Sequence, residues 1–308
     1  MLRFKTEQKK YVIRDVHVGG QPGDVPCVLC GSMFYERHSL VEDARKGVFD
    51  RRKAQDLICR QSALSDETGI PCMVAVYGST KEAIEQYIDF VSFVDDCPIV
   101  LDSTDAEVRA HAATYASEVG LADVCVYNSI NMGIKQDERD ALTHSDVEAA
   151  IVLAFNPKDM ALDGRLAMLE HGDGLVDEGL LALAEQCGIT KPLIDPSATA
   201  LGNHSGVVLR MTMAIKAKYG MPTGSGIHNV VSSWGWLRER RKSHPDAFVA
   251  CDAATIALQI AACGDFVLYG PIEYAEHAFP CASMCEVMMA EASQYTRPVS
   301  GHPSERVV

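Results

Sequence analysis

The sequence predicts an α/β chain closed into a (β/α)8 barrel, and three observations carry that prediction. The first is a set of eight short apolar runs at residues 26–31, 72–77, 99–102, 123–128, 149–155, 193–195, 221–227 and 266–269. They are too brief for helices and continuous rather than alternating, which is the pattern of parallel strands buried on both faces. The second is the amphipathic spacing between the runs, as at Ala83, Ile84, Tyr87, Ile88 and Val91. The third is punctuation. Gly69, Gly120, Gly188, Gly220 and Gly264 each close a helix-like stretch just before or beside the next run, where a helix turns out through a left-handed conformation. An open, doubly wound sheet is the competing architecture, and periodicity does not separate the two.

Taken in order, the first ~25 residues, with Gly19-Gly-Gln-Pro-Gly23, read as an N-terminal extension or hairpin over the barrel floor. Ser79-Thr-Lys-Glu82 and Thr104-Asp-Ala-Glu107 fit capping boxes that open the helices after the second and third runs. The polar tail 297–308 is expected outside the barrel, and no repeat or linker divides the chain. Residues 1–308 therefore read as one barrel domain.

Composition narrows the function. The 308 residues hold 28 Lys+Arg against 42 Asp+Glu, a net charge of −14. Nucleic-acid binding by counterion release needs a basic surface, and so does a polybasic membrane anchor. No run approaches ~20 apolar residues, so no membrane span is expected. The N-terminus has no apolar signal core, and eleven scattered cysteines read as reduced thiols. A cytoplasmic protein is the expectation.

In a barrel of this kind the chemistry sits where strands end. The polar residues following the apolar runs are Asp102, Asn128, Asn156, Asp195, then Ser225, His228 and Asn229, then Glu273. Carboxylates and carboxamides of this kind suit a flat ligand edge of alternating donors and acceptors, such as the 2-amino-4-oxopyrimidine edge of a pterin. For any one of them a helix N-cap is an equally good explanation; several together favour a site.

Ile99-Val-Leu-Asp102-Ser-Thr, Cys125-Val-Tyr-Asn-Ser-Ile-Asn131, Leu193-Ile-Asp195-Pro and Gly224-Ser-Gly-Ile-His-Asn229 resemble the pterin-binding methyltransferases that exchange a methyl group with a corrinoid. With Gly19–Gly23, Gly31-Ser-Met-Phe-Tyr35 and Asp265-Phe-Val-Leu-Tyr-Gly-Pro-Ile272, the chain is similar to the H-subunit family of tetrahydromethanopterin S-methyltransferase. That family includes bacterial methylcobalamin:tetrahydrofolate methyltransferases. The resemblance implies a TIM barrel with a pterin in its mouth, and it implies a homodimer. Asp102, Asn128 and Asp195 would hold the pyrimidine edge, Ser225 and His228 would line the pterin site, and Asn229 would be catalytic, beside N5. His228 stands where soluble relatives have Ser, so whether it faces the pocket or the wall stays open. No added Rossmann-like domain is present to carry a corrinoid, so cobalamin would come free or on a corrinoid protein partner. Tetrahydrofolate is the favoured pterin. The alternatives are a tetrahydromethanopterin-specific subunit of a larger complex, a non-catalytic docking subunit, and a Schiff-base aldolase using Lys158.

Weaker signals have bland readings. Cys27-Val-Leu-Cys30 and the Cys281/Cys285 pair read as core thiols, and His111 and His277 as helix-surface or capping histidines. Residues 222–226 form a glycine-rich strand end that suits a phosphate cradle or, equally, a flat ring near the backbone. Arg238-Glu-Arg-Arg-Lys242 reads as a solvated helix face or, more sharply, as a contact with an acidic corrinoid protein. Met211, Met213, Met284, Met288 and Met289 read as core filler. No clustered ligand pattern appears, and no bound metal is expected.

Overall fold

The structure is a computed structural model describing residues 2–293 and 297–306. Eight parallel strands form its centre: β1 (Val28–Met33), β2 (Cys72–Tyr77), β3 (Ile99–Asp102), β4 (Cys125–Ile130), β5 (Ala149–Leu153), β6 (Lys191–Asp195), β7 (Gly224–Ser225) and β8 (Phe266–Pro271). Neighbours follow chain order from β1 to β6, and β8 pairs with both β1 and β7. A bridge between Ile194 and Thr223, with the Ile194 N–H donating to Pro222 O at 2.9 Å, joins β6 to β7 and closes the ring. The chain is a TIM barrel, and closure excludes the open sheet.

Alternation along each strand sorts side chains into two cores. Val28, Cys30, Met73, Ala75, Val100, Val126, Ala149, Ile151, Leu193 and Phe266 pack together inside the ring. Leu101, Tyr127, Val152 and Ile194 pack outward under one arc of helices, and Leu29 and Val267 under another. Cys27 belongs to the outer core and Cys30 to the inner, so the C-x-x-C thiols lie on opposite sides of the wall.

The lower end of the ring is filled by an antiparallel hairpin, Lys10–Ile13 with Val16–Gly19. Its Ile13 and Val18 are fully buried against the inner core. A buried ion pair fastens it: Lys216 Nζ donates to Asp265 at 2.6 and 2.7 Å and to Gly20 O at 3.0 Å. The described part of the tail packs against this lower end. Val299 N–H donates to Asp24 O at 2.9 Å, and the Arg306 guanidinium reaches Asp66 O and Glu67 O.

Several local expectations shift. The second helix, Lys81–Val94, is capped by Thr80 rather than Ser79, the Thr80 hydroxyl accepting the Ala83 N–H at 3.1 Å. The third, Ala106–Glu118, is capped by Asp105 rather than Thr104. Each true cap is one residue later; the Ser79 and Thr104 hydroxyls are bonded to Ala44 O and to Tyr77, while the Thr80 hydroxyl both donates to Arg45 O and accepts the Ala83 N–H. Gly69 and Gly220 are left-handed helix caps as expected, but after Pro245–Ala261 the left-handed residue is Cys263 (φ 66°), with Gly264 one position on. Met211 is core, whereas Met213, Met284 and Met288 are exposed, so those three are not core filler.

Candidate active site

Asp102, Asn128 and Asp195 share strand parity with the inner residues Val100, Val126 and Leu193. Their side chains therefore rise from the wall into the barrel mouth, one layer above the apolar plug. Asp102 stands in register with Asn128 on the next strand, and Asp195 with Leu153. A break in register between Asn128 and Ile130 sits at the same level and locally re-aims β4.

Burial dominates both carboxyls. Asp102 is pushed up to about 6, with Arg109 and the Ser103 N–H pulling the other way. The Arg109 charge is the stronger of these two opposing effects, but its guanidinium makes no hydrogen bond to Asp102: Nε and Nη2 donate to Glu138 Oε1 at 3.0 and 2.7 Å, and Nη1 to Ser103 O at 2.6 Å. Tyr127 Oη also donates to Glu138. Asp195, 6% exposed, is likewise raised to about 6 by burial, against N–H donation from Ser197 (2.6 Å) and Gly226 and the nearby charge of Arg165. Arg165 is wholly buried; its Nε donates to Met160 O and its Nη1 to the carbonyls of Pro196 and Ser197, fixing the loop that follows β6, while its Nη2 has no hydrogen-bond partner among the described residues. Burial outweighs the few donors that reach these two lumenal carboxyls. A ligand offering paired N–H groups supplies further donors.

Asn229 is the second residue of the short helix His228–Ser232 that follows β7. A Cβ placed on Gly226 would lie 3.2 Å from Asn229 Nδ2. Gly226 also donates its N–H to Asp195, so the carboxamide and the carboxylate flank one glycine. Asp102, Asn128, Asp195 and Asn229 thus lie around the same rim.

Two expected site residues are placed elsewhere. Ser225 lies on the outward face of β7, and its buried hydroxyl donates to Gln259 Oε1 at 2.7 Å. Strand parity sets this, since Gly224 and Gly226 take the inner positions. His228 turns into the wall, with Nδ1 2.8 Å from Asp252 Oδ1 and its ring beside Tyr274 and Phe248. Neither side chain lines the mouth.

Asn156 pins its own loop, donating to Gly164 O and Asp173 and accepting from the Lys158 and Asp159 N–H groups. Glu273 bonds His38 Nε2 at 3.0 Å. Lys158 is exposed, its Nζ donating to Asp173 O at 3.0 Å. An aldolase lysine needs burial to lower its pKa, so that reading has no support in the geometry. Sequence reasoning missed Arg109, Arg165 and Asp252, which come from the helices; no strand-end signal marks them. Among the described residues no group of three or more His, Cys, Asp or Glu is placed to hold a metal ion.

Comparison with known proteins places this geometry. Residues 6–298 match the family model described as tetrahydromethanopterin S-methyltransferase MtrH subunit. The chain is 53% identical to the H subunit of the putative methyltransferase mtx of Methanosarcina mazei, with 98% of each chain covered. It is 48% identical to the H subunit of the tetrahydromethanopterin S-methyltransferase of Methanothermobacter thermautotrophicus, again over 98% of each. In structure it is similar to Yersinia pestis dihydropteroate synthase bound to a pterine-sulfa conjugate (TM-score 0.63, 13% identity, 92% of this chain and 100% of that one). It is also similar to the Xanthomonas albilineans enzyme with 4-aminobenzoic acid (TM-score 0.60, 15% identity, 95% and 100%). At such identities the structural likeness speaks for the barrel alone.

Proposed function

The chain belongs to the MtrH family of tetrahydromethanopterin S-methyltransferase subunits, and from that premise we propose that it moves a methyl group between N5 of a tetrahydropterin in the barrel mouth and the cobalt of a corrinoid. The observation that carries this reading is the ring of Asp102, Asn128 and Asp195, two carboxyls raised by burial and an amide on one rim. The pterin's N3–H and 2-amino group form paired donors for a carboxylate, and its 4-oxo group accepts from an amide.

The favoured pterin changes. Sequence motifs alone favour tetrahydrofolate, but the curated relatives that name a pterin name tetrahydromethanopterin. The reading as a tetrahydromethanopterin-specific subunit is the better supported, and we adopt it. The intact quartet at the rim favours a catalytic subunit over a docking one.

Methyl transfer is an in-line displacement at carbon. The N5–CH3 bond breaks as the CH3–Co bond forms, with Co(I) supplying the electron pair; the reverse runs from methyl-Co(III). N5 leaves poorly unless the charge developing on it is met. The Asn229 carboxamide accepts a hydrogen bond from protonated N5 or donates to its lone pair, without a fixed charge. Holding the two reactants in line is worth roughly 7–11 kcal/mol, and the rim residues contribute by orienting the ring.

The corrinoid comes on an acidic protein partner in this reading. Beyond the Asn229 helix, exposed Trp234 and Trp236 stack at 5.1 Å, with Arg240 4.4 Å from the Trp236 ring. Arg238 and Lys242 are exposed beside them. This is a basic, aromatic face on a chain of net charge −14, and it suits such a partner. Among the described residues no helix is long and apolar enough to cross a membrane. A homodimer, which the family resemblance implies, is tested by the mass in solution.

The function is tested by mixing the protein with methylcobalamin and either tetrahydromethanopterin or tetrahydrofolate and following loss of the methyl–cobalt absorption. Faster loss with tetrahydromethanopterin is expected. A folded protein that neither binds nor methylates either pterin overturns the reading.

A further inference from the structure

The segment carrying Asn229 has little rigidity of its own. It is a five-residue helix, His228–Ser232, with glycines at 224 and 226 before it and at 235 after it. So short a helix does not hold itself in water, and glycines multiply the conformations that must be frozen out. Val230 and Val231 are buried on its wall side and fix its depth. The rotation of its first turn is fixed by a polar anchor.

That anchor is built from three helices. Asp252, on the inner face of Pro245–Ala261, is 1% exposed by side chain. Its Oδ1 lies 2.8 Å from His228 Nδ1, and its Oδ2 lies 2.8 Å from Nε2 of His277 on the last helix, Ala275–Ser293. An ionised carboxylate only accepts, so each imidazole donates its N–H and both tautomers are set. Burial works against the Asp252 anion, yet the two imidazole bonds outweigh it and its pKa is lowered. The His228 ring also lies on the backbone of Gly270, where a Cβ would come within 2.6 Å of it. Tyr274 and Phe248 close the remaining sides. The cluster touches neither the lumen nor the rim carboxylates, and the histidine it clamps is covalently next to Asn229.

We propose that Asp252 is a positioning residue for the methyl transfer: by bridging His228 to His277 it locks the first turn of the helix that presents Asn229. The inference rests on the methyltransferase reading for its consequence in rate, but not for its consequence in structure. Asp252→Asn keeps the size of the side chain but replaces one charged acceptor with an amide NH2, so one imidazole must adopt the opposite tautomer and accept, and both charge-assisted bonds of the bridge are lost. His277→Ala removes the second donor, whereas His277→Gln restores an N–H to Asp252 from a different side chain.

The test has two arms on the full-length protein. In single-turnover assays with methylcobalamin and tetrahydromethanopterin, Asp252→Asn is expected to slow loss of the methyl–cobalt absorption by on the order of 10- to 100-fold, the scale of a small misplacement of a reacting group. Pterin affinity should stay within about 2-fold, since Asp102, Asn128 and Asp195 are untouched. His277→Ala should fall similarly and His277→Gln should recover most of the rate. In the second arm, amide hydrogen exchange is followed at Asn229 and Val230, whose N–H groups bond Gly226 O and Ile227 O at 3.0 Å. Asp252→Asn should speed exchange there by about 10-fold or more while the barrel strands stay protected. Wild-type rate with unchanged exchange overturns the proposal. So does an equal fall in rate and affinity with His277→Gln no better than His277→Ala, because that is general damage to the wall. If wild-type protein transfers no methyl group at all, the functional reading fails while the exchange arm still decides the anchor.

Discussion

Replacing Asp195 by Asn should stabilise the protein while weakening its grip on the pterin. The carboxyl is raised from 3.8 to about 6 by burial. A raised carboxyl is harder to ionise folded than unfolded, so stability is fullest below pH ~4 and is lost as pH climbs through about 6. A shift of about two units is roughly 3 kcal/mol at pH 7. Asparagine keeps the acceptor for Ser197 N–H but leaves Gly226 N–H less well served, which returns about 1 kcal/mol. The net gain is ~2 kcal/mol, or a few degrees in Tm for a chain of this length. Thermal melts of both proteins from pH 4 to 8 test this. The variant should match or trail the wild type near pH 4 and exceed it at pH 7, and its pterin Kd should rise roughly 30- to 100-fold from loss of a charge-assisted pair. A variant that melts lower at pH 7, or a difference in melting that does not change with pH, would refute the account of Asp195 as a carboxyl raised by burial.

Pterin binding should follow the same two carboxyls. Asp102 and Asp195 both sit near 6 in the free protein, so affinity should be flat above pH ~7 and fall below 6 by up to about 10-fold per pH unit for each proton that must leave. Calorimetry in buffers of different ionisation enthalpy reads the proton release directly. Asn229→Ala should lower the transfer rate ~100-fold or more with Kd for the pterin changed less than about 3-fold, as for an interaction realised only as N5 charge develops. A matched loss of rate and affinity would move Asn229 into the binding set.

Much of this is legible in the sequence because strand parity and apolar runs report on burial. Asp102, Asn128 and Asp195 each end a run whose inner residues are apolar, and their direction follows from alternation alone. Ser225 and His228 are misplaced by sequence reasoning for the same reason inverted. β7 is only Gly224–Ser225, with Gly226 after it, so no apolar neighbours on the strand reveal which face is inner. Arg109, Arg165 and Asp252 are invisible because their roles depend on how a helix face meets a loop, a relation between segments 6 to 32 residues apart or on different elements. The caps slip by one residue because two candidate cap residues stand side by side, Ser79 with Thr80 and Thr104 with Asp105, and spacing alone does not choose between them. Met284 and Met288 read as core from residue type alone, and the outer face of a helix can carry methionine as readily as the inner.

The hairpin wedged under the barrel has a kinetic consequence. With Ile13 and Val18 stoppering one end, the cylinder is a cup, and under the proposed function the pterin would enter and leave over the lip that Asn229 occupies. A bulky corrinoid arriving at that lip would cover the route out. Turnover would then be compelled into a queue: the small ring seated before the large macrocycle lands, and the macrocycle lifted off before the spent ring departs. Product inhibition patterns in steady state carry the imprint of that queue.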